Sequence, residues 1–286
     1  NIQSNYRWDM ASEQMMYAEV QAVSGGVTAM QGSPGQGTQA WDSILSRNVE
    51  LYNFGQDGMS TCATCDAAED KGTCQYDDAA DKVDNEGDPL DPEWETVVDD
   101  DGDEMYANNK QACIAADNSY RFVYDYTGSH LISQSNAGTL NAWFVHLAEG
   151  VDQRSKNEFD IMWDKGLIMD ETIVIHGTAL DSSQFSKMAS VNSELVWSPL
   201  SNLLLYGDTT DVIAADQAGV KISISPDWGP SGSKNNLHEL KVADMWNTNN
   251  LGGHFSNYEL VEMVTSNPAD SIGWTPWVGR IKSDMI

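Results

Sequence analysis

Three short apolar runs, each ending in a polar residue able to do chemistry, constrain this chain more than any other feature. Ala142-Trp143-Phe144-Val145 runs into His146-Leu147-Ala148-Glu149, and Thr172-Ile173-Val174-Ile175 runs into His176-Gly177. Val220-Lys221-Ile222-Ser223-Ile224-Ser225 runs into Pro226-Asp227-Trp228-Gly229. The segments between them are long enough for helices. Strands alternating with helices describe βα units on a parallel sheet, where chemistry collects at the carboxyl ends of the strands.

The rest of the chain extends that rhythm. Trp8–Ser24 is helix-compatible, with Trp8, Met15, Ala18 and Ala22 at helical spacing, until Gly25-Gly26 breaks it before a short strand at Val27–Gln31. Ala40–Leu45 reads as a helical turn, and Asn48–Phe54 and Arg121–Tyr126 as strands. Glu158–Lys165 reads as a helix, Ile173–Ile175 as a strand, and Ser182–Ser190 as a helix begun by Asp181. Leu195–Trp197 is a strand, with Ser198-Pro199-Leu200-Ser201-Asn202 as its loop. Thr210–Ala218 is a helix closed by Gly219, followed by a strand at Ile222–Ser225. Asn236–Asn247 and Asn257–Thr265 are helices, the second stopped before Pro268. With 286 residues, 41% of them hydrophobic, and ten Trp, the expected fold is α/β, a TIM-type (β/α)8 barrel in one large domain.

Charge narrows the choice of partners. The net charge is −29, from 44 acids against 15 bases, which excludes nucleic acid because phosphate contact needs a basic footprint. It also disfavours an anionic membrane surface, and no run approaches the roughly 18 apolar residues of a membrane span. From Asp57 to Asp117 there are 19 acids against three lysines, together with all four cysteines, Cys62, Cys65, Cys74 and Cys113. So polar a segment cannot build its own core. It reads as an acidic, Cys-bearing insertion at 57–118 between barrel segments 1–56 and 119–286. The cysteines fit either two disulfides or a structural zinc site, and their irregular gaps favour disulfides in an exported protein. Asp99-Asp100-Asp101-Gly102-Asp103-Glu104 resembles part of a calcium loop. It lacks Gly at the sixth position and Glu at the twelfth, so a solvated acidic loop is the better reading.

Four residues fall at the same end of successive expected strands: His146, Glu149, His176 and Asp227. A lone His after an apolar run is ordinarily a hydrogen-bonded core residue, and an Asp at a strand end is often a helix cap. Four such placements together point instead to a site. Neutral imidazoles and a carboxylate suit a divalent metal, and a second carboxylate can shuttle protons to and from water. His130, His238 and His254 lack that placement.

His146-Leu-Ala-Glu149-Gly150, Ile175-His176-Gly177, Trp197-Ser198-Pro199-Leu200-Ser201-Asn202 and Pro226-Asp227-Trp228-Gly229-Pro230-Ser231-Gly232 resemble, in that order, the amidohydrolase superfamily. The branch is that of cytosine deaminase, the aminohydrolases and the triazine chlorohydrolases. Gly25–Gly32 is similar to that family's second barrel strand, and Val278-Gly279-Arg280-Ile281 to the passage into its small β-sandwich. The resemblance implies a metal-dependent hydrolase acting on a C–N bond of a small, cyclic or linear substrate, with a single zinc or iron ion. It implies that His146 and Asp227 are metal ligands, with Asp227 also the base for the attacking water. Glu149 would carry the proton to the leaving group, and His176 would ligate the metal or hydrogen-bond water or substrate. Ser201 and Asn202 would be structural supports.

One departure stands out. The family opens with a His-x-His pair on its first strand, and this sequence has five His, none two apart. The expectation is a barrel whose first strand is missing, offering a metal only His146, Asp227 and His176, so that activity is expected of the parent protein. The competing reading is a non-catalytic barrel whose acidic insertion binds calcium or a partner. Cysteines and acidic loop lean towards export, whereas the family includes many cytosolic enzymes. Substrate and oligomeric state are not encoded in any motif.

Overall fold

The structure, a computed structural model, describes residues 11–30, 47–48, 59–66, 96–98, 104–106, 125–227, 229 and 231–282. The chain divides into two compact units, residues 1–64 with 134–286, and residues 65–133. In order, the elements are α1 (Ala11–Ser24), β1 (Ala29–Met30), β2 (Arg47–Asn48), β3 (Met59–Asp66), β4 (Thr96–Val98) and β5 (Glu104–Tyr106). Then come α2 (Asp125–Asn136), β6 (Ala142–Leu147), α3 (Gln153–Asp164), β7 (Thr172–His176), α4 (Ser182–Ser190) and β8 (Glu194–Trp197). The chain continues through α5 (Pro199–Tyr206), α6 (Val212–Ala218), β9 (Ile222–Ile224), α7 (Asn236–Asn250), α8 (Asn257–Glu262) and α9 (Ser266–Ser271).

The main sheet has the order β3-β6-β7-β8-β9. Its last four strands follow one another in sequence, each parallel to the next and joined by helices. This is the mixed α/β architecture with a parallel sheet that the alternation predicts. β1 and β2 form a separate parallel pair. In the other unit β4 and β5 pair antiparallel, Val98 opposite Glu104, so the acidic run Asp99–Asp103 connects two paired strands. Those connecting residues, Ala40–Leu45, and the side chains of all four cysteines lie outside the described residues.

The strands are buried because nearly every side chain is apolar on both faces. Ala142, Phe144, Ile173 and Ile175 share one face and cluster with Ala269, Ile272 and Trp274 from the end of the chain. Trp143, Val145, Leu147 and Val174 are buried on the other face, where α3 packs on β6. Phe159 and Met162 of α3 and Phe185 and Met188 of α4 are fully enclosed. α6, α7 and α9 all pack on β9.

Local signals place the helix ends. Asp181 caps α4 through Ser183 N–H, while Gln184 reaches back to the Asp181 N–H, a reciprocal arrangement that satisfies two otherwise orphaned donors. Gly219 closes α6 with φ +88°, as predicted.

Three expectations need correction. Tyr126, read as the end of a strand, lies in α2; the aromatic and β-branched run before it suggested a strand, and residues 121–124 lie outside the described ones. Ser198–Asn202, read as a loop, enters α5, with Pro199 at its first turn and Gly207 at its end, φ +73°. A proline is well tolerated there because that N–H has no helical partner. Helix Asn257–Thr265 ends at Glu262, and Pro268 sits inside the first turn of α9 instead of marking the stop.

Candidate active site

β6 and β7 are in register with Leu147 opposite His176 and His146 opposite Ile175. Side chains alternate along a strand, so regular geometry would send His146 and His176 to opposite faces. The chain escapes this at His176, where φ is +74°, and the two rings come to 5.4 Å between centroids. A non-glycine residue in that region costs about 1–3 kcal/mol and persists only where neighbours over-determine it. Here they do. The Thr210 hydroxyl donates to the His176 carbonyl at 2.6 Å, and Gly177 N–H donates to the Leu147 carbonyl at 3.0 Å. Gly177 is also left-handed, φ +60°, and a Cβ there would stand 3.0 Å from a Leu195 methyl.

Ala148 is a second left-handed residue, φ +54°, and it turns the chain so that Glu149 faces His176. Its N–H is held by Glu158 Oε2 at 2.8 Å. Glu149 Oε1 lies 3.6 Å from His176 Nε2 and accepts a hydrogen bond from the Tyr206 hydroxyl at 2.9 Å. Burial raises the pKa of Glu149 above 4.5, against the opposing pull of the Tyr206 hydrogen bond. A carboxyl that keeps its proton to higher pH is suited to act as a general acid.

Asp227 lies three residues beyond β9 and is half-buried. The loop after it folds back so closely that a Cβ on Gly232 would be 2.6 Å from the Asp227 carbonyl oxygen. Gly232→Ala should therefore push Asp227 out of place, destabilising the fold by about 1–3 kcal/mol; denaturant unfolding reads the effect. Trp228 and Pro230 lie outside the described residues.

One potential ligand atom from each of His146, His176 and Asp227 gathers within a mutual distance of 4.8 Å. Among the described residues His146 Nδ1 and His176 Nε2 are buried with no hydrogen-bond partner. Buried polar atoms are normally satisfied, so the unspent His146 nitrogen beside a carboxylate fits a divalent cation, with His176 Nε2 turned towards the same point. Donors on one tetrahedral zinc stand about 3.3 Å apart, which small side-chain movements would reach.

His176 is fully buried, and burial holds its pKa down to about 4, with His146 adding to the effect and Asp227 opposing it. The folded chain thus binds fewer protons than the unfolded one between about 4 and the ordinary 6.5. Stability falls as the pH falls through that window. Urea unfolding of the metal-free chain should record that loss, and His176→Gln should remove it.

All four residues singled out from the sequence therefore meet. His238 is exposed, and His254 pairs with Asp216 at 2.8 Å; neither joins the cluster. Two contributors were not found as such. Asn202 and Tyr206 stand four residues apart on α5, hence on one face of it, and reach His176 and Glu149 respectively. Pro199 and Gly207 were the signals that could have revealed their helix.

No protein-family model matches the sequence, and no curated protein matches it. Solved structures do. An adenosine deaminase from Xanthomonas campestris with bound zinc is similar over 98% of this chain and 60% of its own, at 12% identity and TM-score 0.59. A mutant atrazine chlorohydrolase from Arthrobacter aurescens, complexed with zinc and atraton, is similar over 99% of this chain and 64% of its own, at 10% identity and TM-score 0.60. Both likenesses are of fold. The chain spans less than two thirds of the length of each of these two proteins. At such identities the likeness to amidohydrolases concerns the fold, and the chemistry has to be argued from the side chains.

Proposed function

We propose that this chain carries the catalytic half of a metal-dependent hydrolase that cleaves a C–N bond, by deamination or amide hydrolysis of a small molecule, within a (β/α)8 barrel. The observation that carries the reading is the gathering of His146, His176 and Asp227 beside Glu149. The zinc found in solved proteins of the same fold supports it. His146 and Asp227 would hold a single divalent ion, zinc before iron, with His176 Nε2 facing it. Such an ion supplies a water acidic enough to attack near neutral pH and polarises the substrate.

The chain's own residues do the rest. Asp227 accepts the water proton as the new C–O bond forms, and attack gives a tetrahedral carbon. Glu149, its proton retained by burial and its oxygen oriented by Tyr206, protonates the departing nitrogen. Trp143 is 4% and Trp197 0% exposed, so neither is available to stack on a flat substrate ring.

Zinc titration with metal analysis of the parent protein that contains this chain, followed by a screen of aminated heterocycles and small amides, tests the reading. Expected are one zinc per chain, lost in His146→Ala, and release of ammonia or amine. A chain that takes up no zinc, or takes it up equally without His146, would sink the proposal.

A further inference from the structure

We propose that Asn202 is a positioning residue that fixes the tautomer of His176, placing the ring proton on Nε2 so that the atom facing His146 and Asp227 is a hydrogen-bond donor and not a metal ligand. Its importance for catalysis rests on the hydrolase reading; the tautomer itself does not.

The His176 ring is fully enclosed, and a buried imidazole is neutral, so the proton sits on one nitrogen or the other. On the Nδ1 side stands the Asn202 amide nitrogen, at 3.2 Å. The same nitrogen is 2.9 Å from Thr178 Oγ1. An amide NH2 has two hydrogens and nothing to accept with, so it spends one on Thr178 and one on His176, whose Nδ1 must then be bare. On the Nε2 side stands Glu149 Oε1 at 3.6 Å, with Asp227 in the same cluster. The Asp227 carboxylate in that cluster attracts an N–H and repels a lone pair. The Asn202 amide therefore selects the tautomer, and the charge of Asp227 favours the same one.

Turning the Asn202 amide over would reverse everything. Oδ1 would accept from Nδ1–H, and a bare Nε2 would be offered to a cation. The amide orientation is thus a two-position selector between donor and ligand, set by a fully buried residue outside the His146–His176–Asp227 cluster. In the orientation found, His146 and Asp227 would be the protein ligands of an ion held here. His176 donates instead to an oxygen of the water or of the substrate, where negative charge develops during attack.

The experiment is two-bond 1H–15N correlation of the histidine rings in the metal-free, 15N-labelled chain, assigned through side-chain-to-backbone correlations, then repeated with zinc. Expected for His176 is a protonated Nε2 and a bare Nδ1. Asn202→Asp should invert this pattern, because a carboxylate can only accept. It should also tighten zinc binding about tenfold, the lower end of what outer-shell partners contribute. The wild-type spectrum is decisive even if the variant fails to fold. A protonated Nδ1 in the wild type, a wild-type pattern persisting in Asn202→Asp, or a zinc-induced shift of Nε2 to a ligated position would each overturn the assignment. The expected tautomer in a chain that takes up no zinc supports it while removing the metal reading.

Discussion

On the proposed hydrolase reading, Asp227→Asn in the parent protein is expected to lower turnover by about 10² to 10⁴-fold, the range a positioned general base contributes, and to weaken zinc uptake in the same preparation. The substitution keeps the shape of the side chain. The tight return of the loop onto the Asp227 backbone at Gly232 does not depend on the charge, so the fold should be retained. What is lost is the ability to accept a proton and the negative charge facing His176 and Glu149. The Asp227 charge raises the pKa of Glu149, so its removal lets that carboxyl ionise at lower pH. Any residual activity should therefore lose its protonated general acid at lower pH than the wild type does. Steady-state rates across pH, with metal content measured alongside, check both parts. Unchanged turnover together with unchanged zinc content would show that Asp227 is neither ligand nor base.

The largest stability effect is expected at Trp197. Its side chain is completely enclosed at the end of β8, level with Ile224 of the next strand. Its indole N–H donates to Thr209 Oγ1 at 2.8 Å. Trp197→Ala should destabilise the chain by about 3–5 kcal/mol, a large share of the roughly 5–15 kcal/mol that holds a domain together. Trp197→Phe restores most of the volume and should cost about 1–3 kcal/mol, chiefly by leaving a buried Thr209 without its donor. Urea unfolding at fixed pH measures both. A loss below about 1 kcal/mol for the alanine variant would place the indole on a free surface, where it could serve a ligand after all.

The strands from β6 to β9 were legible because they are largely apolar runs flanked by residues that stop them, a pattern tied to burial in a parallel sheet. Their carboxyl ends were legible with them, and so were His146, Glu149, His176 and Asp227. The way these residues meet was not. Strand alternation alone separates His146 from His176, and the left-handed backbone at His176 that reunites them leaves no mark in composition, since the residue is not glycine. α5 was hidden because Ser198, Ser201 and Asn202 resemble turn residues, while the burial of Ser201 and Asn202 is a tertiary fact. The capped helix α4 shows the opposite case. Asp181 and Gln184 state its start in the local chain, and expectation and structure agree on its ends.

Placing Asn202 and Tyr206 one turn apart on a single helix gives α5 a screw-like tolerance. With 3.6 residues per turn, inserting or deleting one residue between them would rotate Tyr206 by about 100° and leave Glu149 without its phenol while His176 kept its amide. Variation in length is thereby barred from this turn and diverted outward. Leu204 and Leu205, which are exposed on the same helix, can drift in identity without disturbing either contact.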